Sequence, residues 1–221
     1  MNRLVVVGVC AALQAGCAAA WPTLDLKALP TAERYPGARL VTLLEEHVAD
    51  FTADGRDGQP GLRLTTRVRQ AVLRAGEVPP VHAWYSRSFS RIESIRGRIV
   101  QPDGTSKPLD LTRQWDVPAS GGSELFNDYR VLRVPVPPLP VGGVFEYEIV
   151  EVHDDIKPWV FTQSFADDQP AEVVRVVATA PKGWQVRWAT WAPAGAEQLE
   201  PVVEPGERTR WTWERRAQAA L

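Results

Sequence analysis

Leu62-Arg63-Leu64-Thr65-Thr66-Arg67-Val68-Arg69 sets leucine and valine at even positions and three arginines at odd ones. Alternation with period two marks a half-buried strand, with one face inward and one in water. The stretch just before it carries turn chemistry, Asp54-Gly55, Asp57-Gly58 and Pro60-Gly61. That makes residues 41–51 the hairpin partner of residues 62–73. Strand patterns recur at 89–101, 129–134, 144–152, 160–165, 173–180, 185–191 and 208–213. About nine strands separated by turn signals predict an all-β fold, an antiparallel β-sandwich with little helix. Helix is expected only as a turn or two within 24–33, and the stretch 115–124, interrupted by Pro118, Gly121 and Gly122, is expected to be the least ordered.

The N-terminus has a different character. Met1-Asn2-Arg3 runs into an apolar stretch, Leu4 to Leu13, and then into Ala18-Ala19-Ala20. A basic start, a short apolar core and small residues at the end form an export signal with a cleavage site. Both cysteines of the chain, Cys10 and Cys17, lie within it. Two processing outcomes are open: cleavage before Trp21, which removes every thiol, or retention of Cys17 as a lipid anchor. Leu13-Gln14-Ala15-Gly16-Cys17 is a lipoprotein-like box with Gln14 where an aliphatic residue usually sits. The expected location is the periplasm or the outer membrane of a bacterium, with membrane contact only through a lipid on Cys17. The chain then divides into a signal segment 1–20, a lead 21–34, a sandwich 35–214 and a tail 215–221.

A chain of 221 residues with net charge −2 buries a core without disulfides and offers no overall basic field for nucleic acid. Charge is uneven along it. Residues 56–98 hold nine arginines against three acids, and residues 144–172 hold eight acids against Lys157. Placed on neighbouring strands, these segments pair across the sheet; placed apart, the first makes a basic face for anionic envelope polymers.

Ile99-Val100-Gln101-Pro102-Asp103-Gly104-Thr105 followed by Pro108-Leu109-Asp110 is a strand, a tight turn and a returning strand. Downstream come Tyr129-Arg130-Val131-Leu132-Arg133, then Pro137-Pro138-Leu139-Pro140-Val141-Gly142-Gly143, then Val144-Phe145-Glu146-Tyr147-Glu148, and finally Trp211-Thr212-Trp213-Glu214. In this order and spacing they resemble the bacterial domain of unknown function found N-terminal to transglutaminase-like modules. The resemblance implies a β-sandwich leading a longer exported or membrane-attached protein whose next domain carries a Cys, His and Asp catalytic set. It implies the companion domain and not the activity, because no residue after the signal supplies a thiolate.

No catalytic or cofactor motif stands out, so the chain is expected to be non-catalytic, with a protein partner or companion domain. His153-Asp154-Asp155 sets a histidine beside two carboxylates, and it lacks a third ligand with metal spacing. Ser120-Gly121-Gly122-Ser123 lacks the strand and helix setting of a nucleophile elbow. Pro135-Val136-Pro137-Pro138-Leu139-Pro140 reads as a stiff connector into the next strand. The tryptophans are the stronger lead. Trp184 and Trp188 share one strand parity, as do Trp211 and Trp213, so adjacent pairing would align four rings in a ladder. Exposed, the ladder is a platform for envelope polysaccharide and the chain a glycan-binding module; buried, it is core.

Overall fold

The structure is a computed structural model that describes residues 21, 23–52, 59–119, 128–153, 161–165, 169–189 and 198–218. Residues 1–20 with Cys10 and Cys17, the Ser120–Ser123 run, Asp154, Asp155 and Trp191 lie outside the described residues. Among the described residues, eleven strands form two sheets that face each other as an open sandwich. They are β1 (Leu40–Thr52), β2 (Gly61–Val72), β3 (Val81–Ser86), β4 (Ser90–Val100), β5 (Ser106–Pro108) and β6 (Trp115–Pro118), followed by β7 (Tyr129–Val134), β8 (Val144–His153), β9 (Ala171–Pro181), β10 (Val202–Glu204) and β11 (Arg208–Gln218). The large sheet runs β10-β11-β9-β1-β2-β8-β4-β5 and the small one β3-β7-β6.

The opening hairpin forms as read, with β1 and β2 antiparallel from Leu40 opposite Val72 to Thr52 opposite Gly61. A register shift between Thr42 and Leu44 bends β1 and twists the sheet there. The tight return after β4 also forms. Gly104 takes φ +87°, and the Asp103 side chain accepts hydrogen bonds from the Thr105 amide and hydroxyl at 2.8 and 2.7 Å.

Several expectations need correction. The large sheet is mixed, because β1 and β9 pair in parallel. Residues 161–165 and 184–189 form no strand. Strands β3, β6 and β10 were not expected, and β6 occupies the stretch read as least ordered. Among the described residues, helix reduces to two 3₁₀ turns, Leu26–Ala28 and Leu111–Arg113, each opened by an aspartate that accepts a backbone N–H. Strand β11 continues past Glu214 to Gln218.

The inner face of the large sheet packs against the small sheet. Val72, Ile99, Phe145 and Ile149 meet Val81, Ala83 and Val134, with Leu109 and Leu139 closing the gap. Gly97 on β4 lets Leu109 in: a Cβ there would lie 2.3 Å from Leu109 Cδ1 and 2.9 Å from the Glu146 carbonyl oxygen. The proline-rich connector is ordered and contributes Leu139 and Val136 to this core. On the outer face, Val41, Ala71, Val100 and Val144 are covered by the lead through Leu24, Leu26, Leu29 and Tyr35. Arg74 ties the lead down by donating to the carbonyls of Ala32 and Tyr35 at 3.1 and 3.2 Å and to that of Ala38.

Candidate functional site

Three polar or aromatic arrangements have site-like composition, and strand register builds each of them. The first crosses the outer face of the large sheet. Arg96, Glu148, Arg67, Glu46, Arg175 and Glu214 stand side by side on β4, β8, β2, β1, β9 and β11. Charge alternates at every strand. Glu148 accepts from Arg96 Nε and Arg67 Nε at 2.7 Å each, and Glu46 accepts from Arg67 Nη1 and Arg175 Nη1 at 3.0 Å each. Glu214 accepts from Arg175 Nε at 2.6 Å and Arg216 Nε at 2.7 Å. A shorter row beside it sets Glu146, 1% exposed, between Arg69 and Arg98. Trp21 lies over the end of both rows, its ring 4.7 Å from the Arg96 guanidinium and 5.6 Å from that of Arg98.

These carboxylates are saturated. Burial alone would raise the Glu148 carboxyl, but hydrogen bonds and charge from Arg96 and Arg67 outweigh it and hold it below the usual range. Glu214 is lowered in the same way, burial being outweighed by Arg175 and Arg216. A carboxylate held by two guanidiniums is a poor proton acceptor and a good rivet. Of the uneven charge in the sequence, Arg67, Arg69, Arg96 and Arg98 therefore meet Glu146 and Glu148 across the sheet. Arg63 instead pairs with Glu93 from its own segment.

Because the folded carboxyls sit below their unfolded values, their stabilisation is fully present above the unfolded pKa of about 4.3 and is lost as pH falls through the folded values. Urea midpoints are expected to be flat from pH 7 to about pH 5 and to drop steeply below about pH 4. A midpoint that rises on acidification contradicts the pairing.

The second arrangement is on the inner face, one position along from the charged row. Trp213, Val176, His47, Thr66 and Ile149 are register neighbours on β11, β9, β1, β2 and β8. His47 Nε2 lies 2.9 Å from Glu45 Oε1 and its Nδ1 3.0 Å from Thr66 Oγ1. Acid, imidazole and hydroxyl in line have the order of a hydrolytic triad. Here Phe161 covers the imidazole at 5.2 Å, and Gln163 Nε2 also donates to Glu45 at 3.0 Å. Burial pushes the Tyr147 hydroxyl upward, with the Glu45 charge adding to it. The network ties segment 161–165 onto β1 and β2 with its polar groups met.

The late tryptophans lie on this same inner face. Trp211 and Trp213 are on β11 with shared parity. Trp184 and Trp188 come from the unpaired segment 184–189, which crosses the face, so the four rings do not form one ladder on paired strands. Trp213 is 8% exposed under Trp188 in an edge-on contact of 6.2 Å, and Trp184 packs on Phe51 at 6.4 Å. Only Trp188, 41% exposed, is largely open.

His153 sits at the end of β8, 3.2 Å from Glu151 on its own strand. Among the described residues, no group of three or more His, Cys, Asp or Glu is placed to hold a metal. No described helix is long and apolar enough to cross a membrane.

The third arrangement, which sequence reading missed, is the solvent face of the small sheet. It presents His82 and Trp84 from β3, Tyr129, Val131 and Arg133 from β7, and Trp115 and Val117 from β6. Trp84, Trp115 and Tyr129 are 54%, 43% and 59% exposed. The sequence signal was present in the alternation Val81-His82-Ala83-Trp84-Tyr85, whose apolar half is in the core.

No curated protein matches the chain. Among solved structures, one described as a putative protease from Parabacteroides distasonis superposes with a TM-score of 0.65 at 13% identity. The match covers 83% of this chain and 36% of that one, so this chain spans about a third of the longer protein's length. Such a likeness at low identity speaks to the fold alone. Residues 67–221, from the charged half of β2 through the last strand, match the model of a domain of unknown function with solved structures, DUF3857, and the chain belongs to that family.

Proposed function

We propose that this chain is an exported, non-catalytic β-sandwich of the bacterial envelope that positions or recruits a companion enzyme of the transglutaminase-like, Cys/His/Asp type. The carrying observation is the coverage: the same architecture makes up 36% of a longer protein described as a putative protease. An architecture that recurs as part of a larger chain is a natural spacer or docking element beside a catalytic unit. Two features of this chain support the non-catalytic half. The carboxylates of the charged rows are each held by two arginines, and both cysteines lie in the export signal.

The intact mass of the native protein recovered from envelope fractions tests the reading. A chain starting at Trp21, or one acylated on Cys17, is expected. An unprocessed Met1 found only in the cytosolic fraction overturns export, and turnover of a peptide or ester substrate by the isolated chain overturns the non-catalytic role.

A further inference from the structure

We propose that the solvent face of the small sheet, built from His82, Trp84, Trp115, Tyr129 and Arg133, is a binding site for an acidic polysaccharide. This inference does not rest on the chain positioning an enzyme.

The argument starts from register. Arg133 on the central strand β7 has His82 of β3 on one side and Trp115 of β6 on the other. One position along the same face, Val131 lies between Trp84 and Val117, and beyond it Tyr129 faces Ser86. Strands about 4.8 Å apart and a rise of about 3.4 Å per residue set Trp84 and Trp115 about 12 Å apart on a diagonal, with the arginine on the strand between them. That diagonal is the length of a short oligosaccharide. A sheet face is flat, because side chains stand perpendicular to it. Val131, the register neighbour of Trp84 and Val117, is 1% exposed although it belongs to neither core cluster.

Ring chemistry and charge narrow the occupant. An aromatic face carries negative quadrupole and attracts the polarised C–H face of a pyranose, so rings standing singly suit successive sugars of a chain. Arg133 Nε is buried and, among the described residues, makes no hydrogen bond. An unmet buried donor on a cation is costly, and a carboxylate is the acceptor its planar fork fits. None of the described outward positions of the three strands carries a carboxylate. The acid nearest Arg133 in sequence, Asp128, is engaged by the Ser86 hydroxyl at 2.6 Å and the Ser88 amide at 3.1 Å. Burial, with the Arg133 charge added, lowers His82, so near neutral pH its ring serves as a hydrogen-bonding neighbour and Arg133 supplies the charge. A chain of uronic acids meets both demands, with rings on the tryptophans and a carboxylate on the arginine.

Calorimetric titration of the full chain with hexagalacturonate, neutral cellohexaose and poly-L-glutamate tests this. Binding of the hexagalacturonate is expected, at least about tenfold tighter than that of cellohexaose or poly-L-glutamate at the same salt. Trp84→Ala and Trp115→Ala should each weaken it about tenfold or more, and Arg133→Gln should abolish the preference for the acidic sugar. Trp84 and Trp115 are 54% and 43% exposed, so their variants should fold with at most a small shift in melting midpoint and keep the test valid if Arg133→Gln fails to fold. Unchanged affinity in both tryptophan variants overturns the site, as does poly-L-glutamate binding as tightly as the sugar, or no binding at all. Self-association that depends on Trp84 and Trp115 would mean that the face is a protein interface and also overturns it. The envelope mass measurement is unaffected by any of these results.

Discussion

Glu146→Ala is expected to cost the fold about 3–5 kcal/mol, because it removes a buried carboxylate that two guanidiniums share. Glu146 is 1% exposed, while Arg69 and Arg98 on either side are 16% and 23% exposed. Neither arginine reaches water freely once the shared carboxylate is gone. Glu148→Ala should cost less, since its partners Arg67 and Arg96 are 40% and 27% exposed and recover hydration. Urea unfolding of the two variants at pH 7 measures the difference. A triple replacement, Arg69→Met with Glu146→Leu and Arg98→Met, should regain most of the loss, because apolar groups of similar volume need no charge partner. If Glu146→Ala unfolds at the parent's midpoint, the pair is not part of what holds the sheet. If the triple variant is as weak as the single one, the geometry of the row carries its value and desolvation does not.

Period two told which residues share a face, and so the Leu62–Arg69 stretch was readable as a wet strand with inward leucines. It did not tell which strands are neighbours. Arg96, Glu148, Arg67, Glu46, Arg175 and Glu214 come from six separate segments, and only their register makes them one row. The parallel pairing of β1 with β9 was hidden for a related reason. Strand β1 is covered on both faces along much of its length, which blurs alternation. Strand β6 is masked in the sequence because Pro118 and the following glycines have the composition of a loop. An edge strand tolerates proline, and β6 is the edge of its sheet.

Residues 185–189, expected to be a strand and found unpaired, differ for the opposite reason. Trp184 and Val186 are half-buried, and Gln185 and Arg187 are exposed, so the alternation is real. It records a segment lying with one side down on the inner face, which needs no hydrogen-bonded neighbour. Likewise, clustering in sequence drew attention to the late tryptophans. The exposed aromatic face is assembled from Trp84, Trp115 and Tyr129 on three different strands, each alone in its segment.

Trp213→Ala should be the second most damaging change, at about 3–5 kcal/mol, because it empties a large aromatic volume where the sheet has no second sheet over it. The small sheet covers the side of β4, β8 and β2. Over β11, β9 and β1 the cover is segments 161–165 and 184–189, seated through Phe161 on His47, Trp184 on Phe51 and Trp188 on Trp213. Removing the Trp213 ring takes the floor from under Trp188 and frees that cover as well as leaving a cavity. Trp188→Ala, by contrast, removes a ring that is 41% exposed and should cost about 1 kcal/mol or less beyond its edge-on contact. Thermal melts and tryptophan emission separate the two. Loss of Trp213 should remove a blue-shifted contribution and lower the midpoint sharply, while loss of Trp188 should do neither. Equal costs would mean that Trp188 anchors the cover by itself. Trp84→Ala completes the comparison: with little change in the melt and a loss of sugar affinity, it would separate rings that hold the fold from rings that face a ligand.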